Sequence, residues 1–342
     1  MDFEKLLENA AEMPTLKKCL SLLEKANSYD ELRKLFDFAS ELRDENFGRT
    51  LKLDSFVYPV KKCVMERYCI YCSNYVEEFR LEPLSIEEFC RAVEFIKDCG
   101  MKRVTLEGGY NPDNSKIPIL IRISRKAGFE VALDIYPIAE NELWEFKGLG
   151  ALEVYASLEI ADEKIFKKFK PGENLEERLT LARKICRNKI DLSSTLLIGL
   201  PETGEELWIK GILLLREFDC LKHLTISGFN PVFGTPLENS NPASPVTVAK
   251  FVALARILLP DRDISAAGSV SLQSLPLMLI AGANRAYLGA YVCRVRTRKG
   301  FAGELDEVFK PEYEAVISDG LVFADPSRAV ERICNELGFE VL

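Results

Sequence analysis

The chain of 342 residues has one histidine, His223, and two tryptophans. A single imidazole all but excludes a His-rich metal site or a Ser-His-Asp triad. No run approaches the ~18 apolar residues that a membrane-spanning helix needs. The opening Met-Asp-Phe-Glu lacks the basic-then-apolar order of a secretory leader. A cytoplasmic protein with no membrane partner is therefore expected. Positive charge is in short supply: 45 Lys and Arg against 53 Asp and Glu give a net charge of −8. That is the wrong sign for a surface that neutralises phosphates, so no nucleic-acid partner is expected. The P-loop, the G-x-S-x-G elbow, HExxH and a GxGxxG following a strand are all missing. Each absence closes one class of chemistry.

The sequence does contain enough apolar side chain, 47% of residues, to fill a large core. Residues 1–46 read as helical, with Ser28 and Glu31 as a capping box ahead of Leu32, Leu35, Phe36, Ala39 and Leu42. Short apolar runs then alternate with amphipathic helices. Strands are expected at 56–60, 103–107, 130–134, 152–157, 194–198, 223–227, 263–267 and 285–288. The helices between them are expected at 85–98, 117–127, 139–147, 174–188, 205–218, 246–258 and 272–281. Regular alternation of this kind implies a parallel α/β sheet with right-handed crossovers. Eight units favour a closed (βα)8 barrel of the TIM type, with an open six-unit barrel second. The expected organisation is an N-terminal helical segment over 1–50, a barrel over 51–292 and a C-terminal extension over 293–342. The basic run from Arg294 to Lys299 reads as a solvated surface.

Of ten cysteines, seven are scattered singly and read as small buried hydrophobes. Cys63, Cys69 and Cys72 are different, crowding into Lys62–Ser73 with charged Glu66 and Arg67 between them. Burying three inert thiols there would bury those charges too. A structural zinc site wants four ligands, and His223 lies 151 residues beyond Cys72 at the far end of its strand. Three thiolates on one loop suit a cubane [4Fe–4S] cluster with one iron left open. On a barrel, the loop after the first strand lies at the C-terminal face, where active sites are built.

Here the chain resembles the radical S-adenosylmethionine (SAM) superfamily, whose usual motif is C-x3-C-x-aromatic-C. Cys69-Ile70-Tyr71-Cys72 matches its second half, while five residues rather than three separate Cys63 from Cys69. The resemblance implies a [4Fe–4S] cluster on Cys63, Cys69 and Cys72, and a bound SAM. Tyr71 would lie near its adenine, and Gly108, Gly109 and Tyr110 would form a backbone contact in place of the usual Gly-Gly-Glu. Glu159 of Ser157-Leu158-Glu159 would meet the SAM amino group, and Arg178 of Glu176-Glu177-Arg178-Leu179 its carboxylate. Ile198 and Leu200, in a segment similar to the one lining the adenine in the biotin synthase branch, would border that ring. Arg178 also draws attention by position: an inward-facing cation near the positive end of a helix wants an anion.

Asp134, Ser157, Thr195, Asn230 and Ser269 are expected to face the substrate. The implied activity is reductive cleavage of SAM to methionine and a 5′-deoxyadenosyl radical that abstracts hydrogen. The implied partners are a small-molecule substrate and an external one-electron donor of the ferredoxin or flavodoxin type. The C-x5-C-x2-C spacing is similar to that of the radical SAM family serving the iron–guanylylpyridinol cofactor of [Fe]-hydrogenase, which implies a pyridinol precursor as substrate. The alternatives are a radical SAM enzyme of another pathway in the same branch, or a non-catalytic iron–sulfur or zinc protein.

Overall fold

The structure is a computed structural model describing residues 3–268, 271–294 and 314–342. Three helices lead, α1 (Phe3–Glu12), α2 (Leu16–Lys25) and α3 (Tyr29–Phe47). Their buried residues Leu6, Leu22, Leu35 and Ala39 join the main core. Thr15 and Ser28 cap the second and third through side-chain oxygens that accept from Lys18 N and Glu31 N. The helical segment expected over 1–46 is thus three helices, broken around Pro14 and Asn27, the third starting at the expected Ser28 cap.

The chain then enters β1 (Thr50–Leu53) and β2 (Ser55–Tyr58), one extended segment divided at Asp54. Next come α4 (Ile86–Asp98), β3 (Arg103–Tyr110), α5 (Ile117–Ala127), β4 (Glu130–Tyr136), α6 (Glu140–Gly148) and β5 (Ala151–Tyr155). They are followed by α7 (Glu163–Phe169), α8 (Leu175–Arg187), β6 (Asp191–Ile198), α9 (Glu205–Arg216), β7 (Leu221–Gly228) and α10 (Pro245–Leu258). The barrel ends with β8 (Asp263–Gly268), α11 (Leu275–Ile280), β9 (Arg285–Ala286) and β10 (Tyr291–Arg294). Strands β2 to β9 pair in chain order, all parallel, and β9 returns to β1 through Lys52↔Arg285. With only Asp54 between β1 and β2, the ring of strands closes on itself. This is the expected (βα)8 barrel.

Beyond β10 come β11 (Glu314–Ser318), β12 (Leu321–Asp325), α12 (Ser327–Leu337) and β13 (Glu340–Val341). Strand β12 pairs antiparallel with β10 and β11 antiparallel with β12, and β13 pairs with β1. Of the basic run, Arg294 is ion-paired with Glu88 and the rest lies outside the described residues. Among the described residues no helix is long and apolar enough to cross a membrane. Cys186 and Cys220, read above as isolated thiols, form a disulfide with Cα atoms 5.3 Å apart, tying the last turn of α8 to the start of β7. Their 34-residue separation hides a pairing that the fold makes.

The inward faces of the strands position everything that follows. On β3, β4, β6 and β7 the aliphatics Leu106, Leu133, Leu196 and Ile226 turn outward into the core beneath the helices. The alternate residues Glu107, Asp134, Thr195 and Ser227 turn inward and line a cavity. Below that cavity the barrel is stoppered by charge rather than aliphatic layers. Arg285 donates to Asp54 at 2.9 Å and to Glu153 at 3.0 Å. Arg103 pairs with the same two acids at 3.0 and 2.6 Å. His223 sits over Ser265 at 2.7 Å, against Tyr155 at 3.1 Å, and Tyr155 bonds Tyr287.

Candidate active site at the C-terminal mouth of the barrel

The loop that leaves β2 stays against β3 before it breaks away. Val60 N donates to Glu107 O at 2.7 Å, Gly109 N to Lys61 O at 3.1 Å and Val64 N to Tyr110 O at 2.6 Å. Cys63 is thereby laid directly on Gly109. A Cβ at Gly109 would stand 2.3 Å from the Cys63 Cβ, and one at Gly108 would stand 2.8 Å from the Lys61 Cβ. The two glycines expected to admit a ligand therefore first admit the cysteine loop. Farther along, Ile70 N donates to Phe169 O at 3.0 Å, and Cys72 N to Cys69 O at 3.2 Å. Gly172 leaves room for the Arg67 carbonyl, which a Cβ would meet at 2.2 Å. The loop is gripped on both sides by backbone contacts that only glycine permits.

All three thiols open into one cavity of about 460 Å³. Tyr71, Gly108, Gly109, Tyr110, Asp134, Ser157, Glu159, Arg178 and Thr195 also line it. Asn230 lines an adjoining hollow that shares Tyr71, Glu159 and Thr195. Ile198 and Leu200 are placed differently: both side chains are buried in the hydrophobic core, Ile198 on an outward-facing position at the end of β6 and Leu200 just past it. Ser269 lies outside the described residues.

Charge on one wall is organised as two acid–base couples. Lys170 donates to Glu159 at 2.5 Å and lies 3.3 Å from Glu173. Arg178 donates through Nε to Glu173 at 2.7 Å, and its guanidinium lies 3.7 Å above the Tyr136 ring. The Tyr71 hydroxyl donates to Glu159. Arg178 does find the anion that its position demands, but the partner is Glu173, five residues upstream. Burial opposes charge throughout this wall, yet Arg178 and Lys170 together hold Glu173 down to about 2. Lys170 is held above its ordinary range despite burial, chiefly by Glu159.

Glu159 has a left-handed backbone, φ 58°, which a residue with a Cβ adopts at some cost. Two bonds to β6 hold it there: Glu159 N to Thr195 O at 2.7 Å, and Leu197 N to Glu159 O at 2.9 Å. Lys170 and Glu173 were not among the sequence candidates. They flank Pro171-Gly172 in what reads as an exposed turn, and nothing in the local sequence signals that both are buried.

The thiols themselves are kept protonated. Burial raises Cys63 to about 11 and also raises Cys69 and Cys72. Among the described residues no three His, Cys, Asp or Glu side chains converge on one point as a single-ion site would require. A cubane gives each thiolate its own iron, so its ligands surround a volume rather than a point. Three soft donors on one cavity wall, with no fourth cysteine beside them, fit that group. A carboxylate and a guanidinium on the neighbouring wall fit the ammonium and carboxylate of an amino acid.

The sequence profile of the radical SAM superfamily matches residues 57–209. That of the Biotin and Thiamin Synthesis associated domain matches residues 225–303. The chain is 28% identical to the [FeFe] hydrogenase maturase subunit HydE of Thermotoga maritima, over 82% of this chain and 81% of the relative. It is 27% identical to a biotin synthase of Clostridium acetobutylicum, over 79% of this chain and 85% of that one. The solved structure of methylornithine synthase (PylB) superposes with a TM-score of 0.78 at 20% identity, over 98% of this chain and 97% of that chain, a likeness of fold.

Proposed function

We propose that this chain, which matches the radical SAM profile and is similar to biotin synthase and HydE, is a radical SAM enzyme of that branch, that Cys63, Cys69 and Cys72 are its cluster ligands and that the cavity beside them holds SAM. Members of the superfamily are enzymes that use a [4Fe–4S] cluster and SAM, and they act on small molecules with an external electron donor. When bound, the pair supplies one-electron cleavage of the sulfonium C–S bond, giving methionine and a 5′-deoxyadenosyl radical that takes hydrogen from a substrate.

This chain's part is positioning and exclusion. Glu159, steadied by Lys170 and Tyr71, would accept hydrogen bonds from the SAM ammonium. Arg178 would donate to its carboxylate, with Glu173 as the partner that fixes its direction. Tyr71 would flank the adenine, and Gly108, Gly109 and Tyr110 would offer backbone groups. The stoppered barrel keeps bulk water from the reacting end.

The observation that carries this reading is the meeting of three cysteines with Glu159 and Arg178 on one cavity. Anaerobic reconstitution with iron and sulfide tests it. The expected result is a cubane whose electron paramagnetic resonance changes on adding SAM, with 5′-deoxyadenosine released under dithionite and no cluster in the C63A/C69A/C72A variant. Zinc in place of iron, a spectrum indifferent to SAM, or a cubane that survives the triple substitution would overturn it.

A narrower reading places the substrate among precursors of the iron–guanylylpyridinol cofactor, with a ferredoxin- or flavodoxin-type donor. It is supported by the five-residue gap between Cys63 and Cys69. Mass spectrometry of deuterium entering 5′-deoxyadenosine from labelled pyridinol precursors tests it. An unlabelled product from every such precursor would remove it.

A further inference from the structure

Beneath the wall of Glu159 and Arg178 the cavity has a floor whose chemistry the proposed SAM contacts leave unused. We propose that Glu107 and Asp134 form a substrate-anchoring subsite, selecting a small polar substrate that carries a protonated nitrogen; this rests on the reading of the cavity given above.

The two acids sit on neighbouring parallel strands in direct register, Glu107↔Asp134, on the same inward face. Both line the cavity. What sets them apart is the lack of a partner. Every other acid turned toward the barrel axis is answered: Glu159 by Lys170, Glu173 by Arg178, Asp54 and Glu153 by Arg285, Asp263 by Lys52. The side-chain carboxylates of Glu107 and Asp134 accept no hydrogen bond and form no ion pair among the described residues. The nearest cations bearing on Asp134 are Arg178 and Lys170, and both are already bound to other carboxylates.

A second group points the same way. Ser157 is 6% exposed, lines the same cavity and has no hydrogen-bond partner among the described residues. Its hydroxyl opens on the cavity and is left for a ligand to satisfy. Thr195 and Ser227 add two more inward hydroxyls. The floor therefore offers two carboxylates and a set of neutral acceptors, and no cation of its own. A ligand with N–H donors and a positive charge satisfies all of them, whereas an anion or a hydrocarbon satisfies none. Burial has raised Asp134 to about 6; burial and then Asp134 have raised Glu107 to about 8. A bound cation would favour the charged form of both.

Two measurements on reconstituted wild-type holoenzyme separate this inference from the reading beneath it. SAM-dependent change of the paramagnetic spectrum and release of 5′-deoxyadenosine test the reading; if both fail, the inference falls with it. Calorimetric titration with n-butylammonium chloride and with the neutral isostere n-butanol tests the inference itself. The expected result is binding of n-butylammonium at least ten-fold tighter than that of n-butanol, and a loss of ten-fold or more in both the isosteric variants E107Q and D134N. Circular dichroism is used to verify the fold of each variant. Butanol binding as well as butylammonium, or either folded variant retaining wild-type affinity for the cation, overturns it while leaving the cluster and SAM assignment standing.

Discussion

Gly109 is where the smallest change has the largest reach. A methyl group there would overlap the Cys63 Cβ at 2.3 Å, so G109A must push the cysteine loop off β3. The expected cost is ~1–3 kcal/mol, typical of overpacking, together with reduced iron content after reconstitution. Chemical denaturation and iron analysis of the same preparation check both. Glu107 makes the opposite kind of prediction. Its carboxyl is raised to about 8 by burial and by Asp134, against roughly 4.3 in an unfolded chain. A group raised in the native state contributes stability below its unfolded value and loses that contribution as pH rises through the native one. Ligand-free E107Q is therefore expected to be more stable than wild type at pH 9 and to lose the advantage near pH 4. Denaturant midpoints at the two pH values would show it, and a variant less stable at both would contradict it.

At the scale of elements, α8 shows how a cap reaches function. Asn174 accepts from Glu176 N at 2.8 Å and starts the helix that carries Arg178. N174A should cost ~1 kcal/mol and, by loosening the first turn, weaken SAM binding. Calorimetric titration alongside thermal unfolding would check this, and unchanged SAM affinity in a destabilised variant would separate the cap from the site.

This helix was readable in advance, its apolar spacing giving 174–188 against the observed Leu175–Arg187. So was α5, at 117–127. Helix α7 was not, since seven residues with few apolar positions give too little periodicity to register. Its loss from the sequence reading also hid Lys170 and Glu173, which lie just beyond it. The cysteine trio was legible because its spacing is local. The partners of Glu159 and Arg178 were not, because which carboxylate meets which cation depends on how distant loops come together. The burial of Ile198 and Leu200 was hidden for a related reason: strand alternation decides which side of the wall a residue faces, and the segment alone does not show where the strand ends.

Across the whole molecule, the charged stopper ties stability to pH. Although burial opposes ionisation, Arg285 and Arg103 hold Glu153 well below its usual range, and Lys52 and Arg285 lower Asp263. Burial, then Arg285, hold His223 below its own. Below about pH 6.5 the unfolded chain takes up a proton at His223 that the native one resists, and below about pH 4 it does so at both acids. All three contributions are lost as pH falls. Measured in the E107Q/D134N background, which removes the opposing term of the cavity floor, the denaturation midpoint should drop between pH 7 and 5 and again below 4. Adding H223Q should flatten the first drop alone.

The same stopper also sets an itinerary. A barrel sealed at one end has a single doorway, and whatever travels deepest must go in first. A molecule seated on Glu107 and Asp134 would be shut in by SAM arriving after it, so turnover should follow a compulsory sequence, substrate leading and SAM following. Isotope trapping would reveal that queue: labelled substrate held on the enzyme should be carried through to product when SAM is added with excess unlabelled substrate, whereas an order with SAM leading would wash the label out.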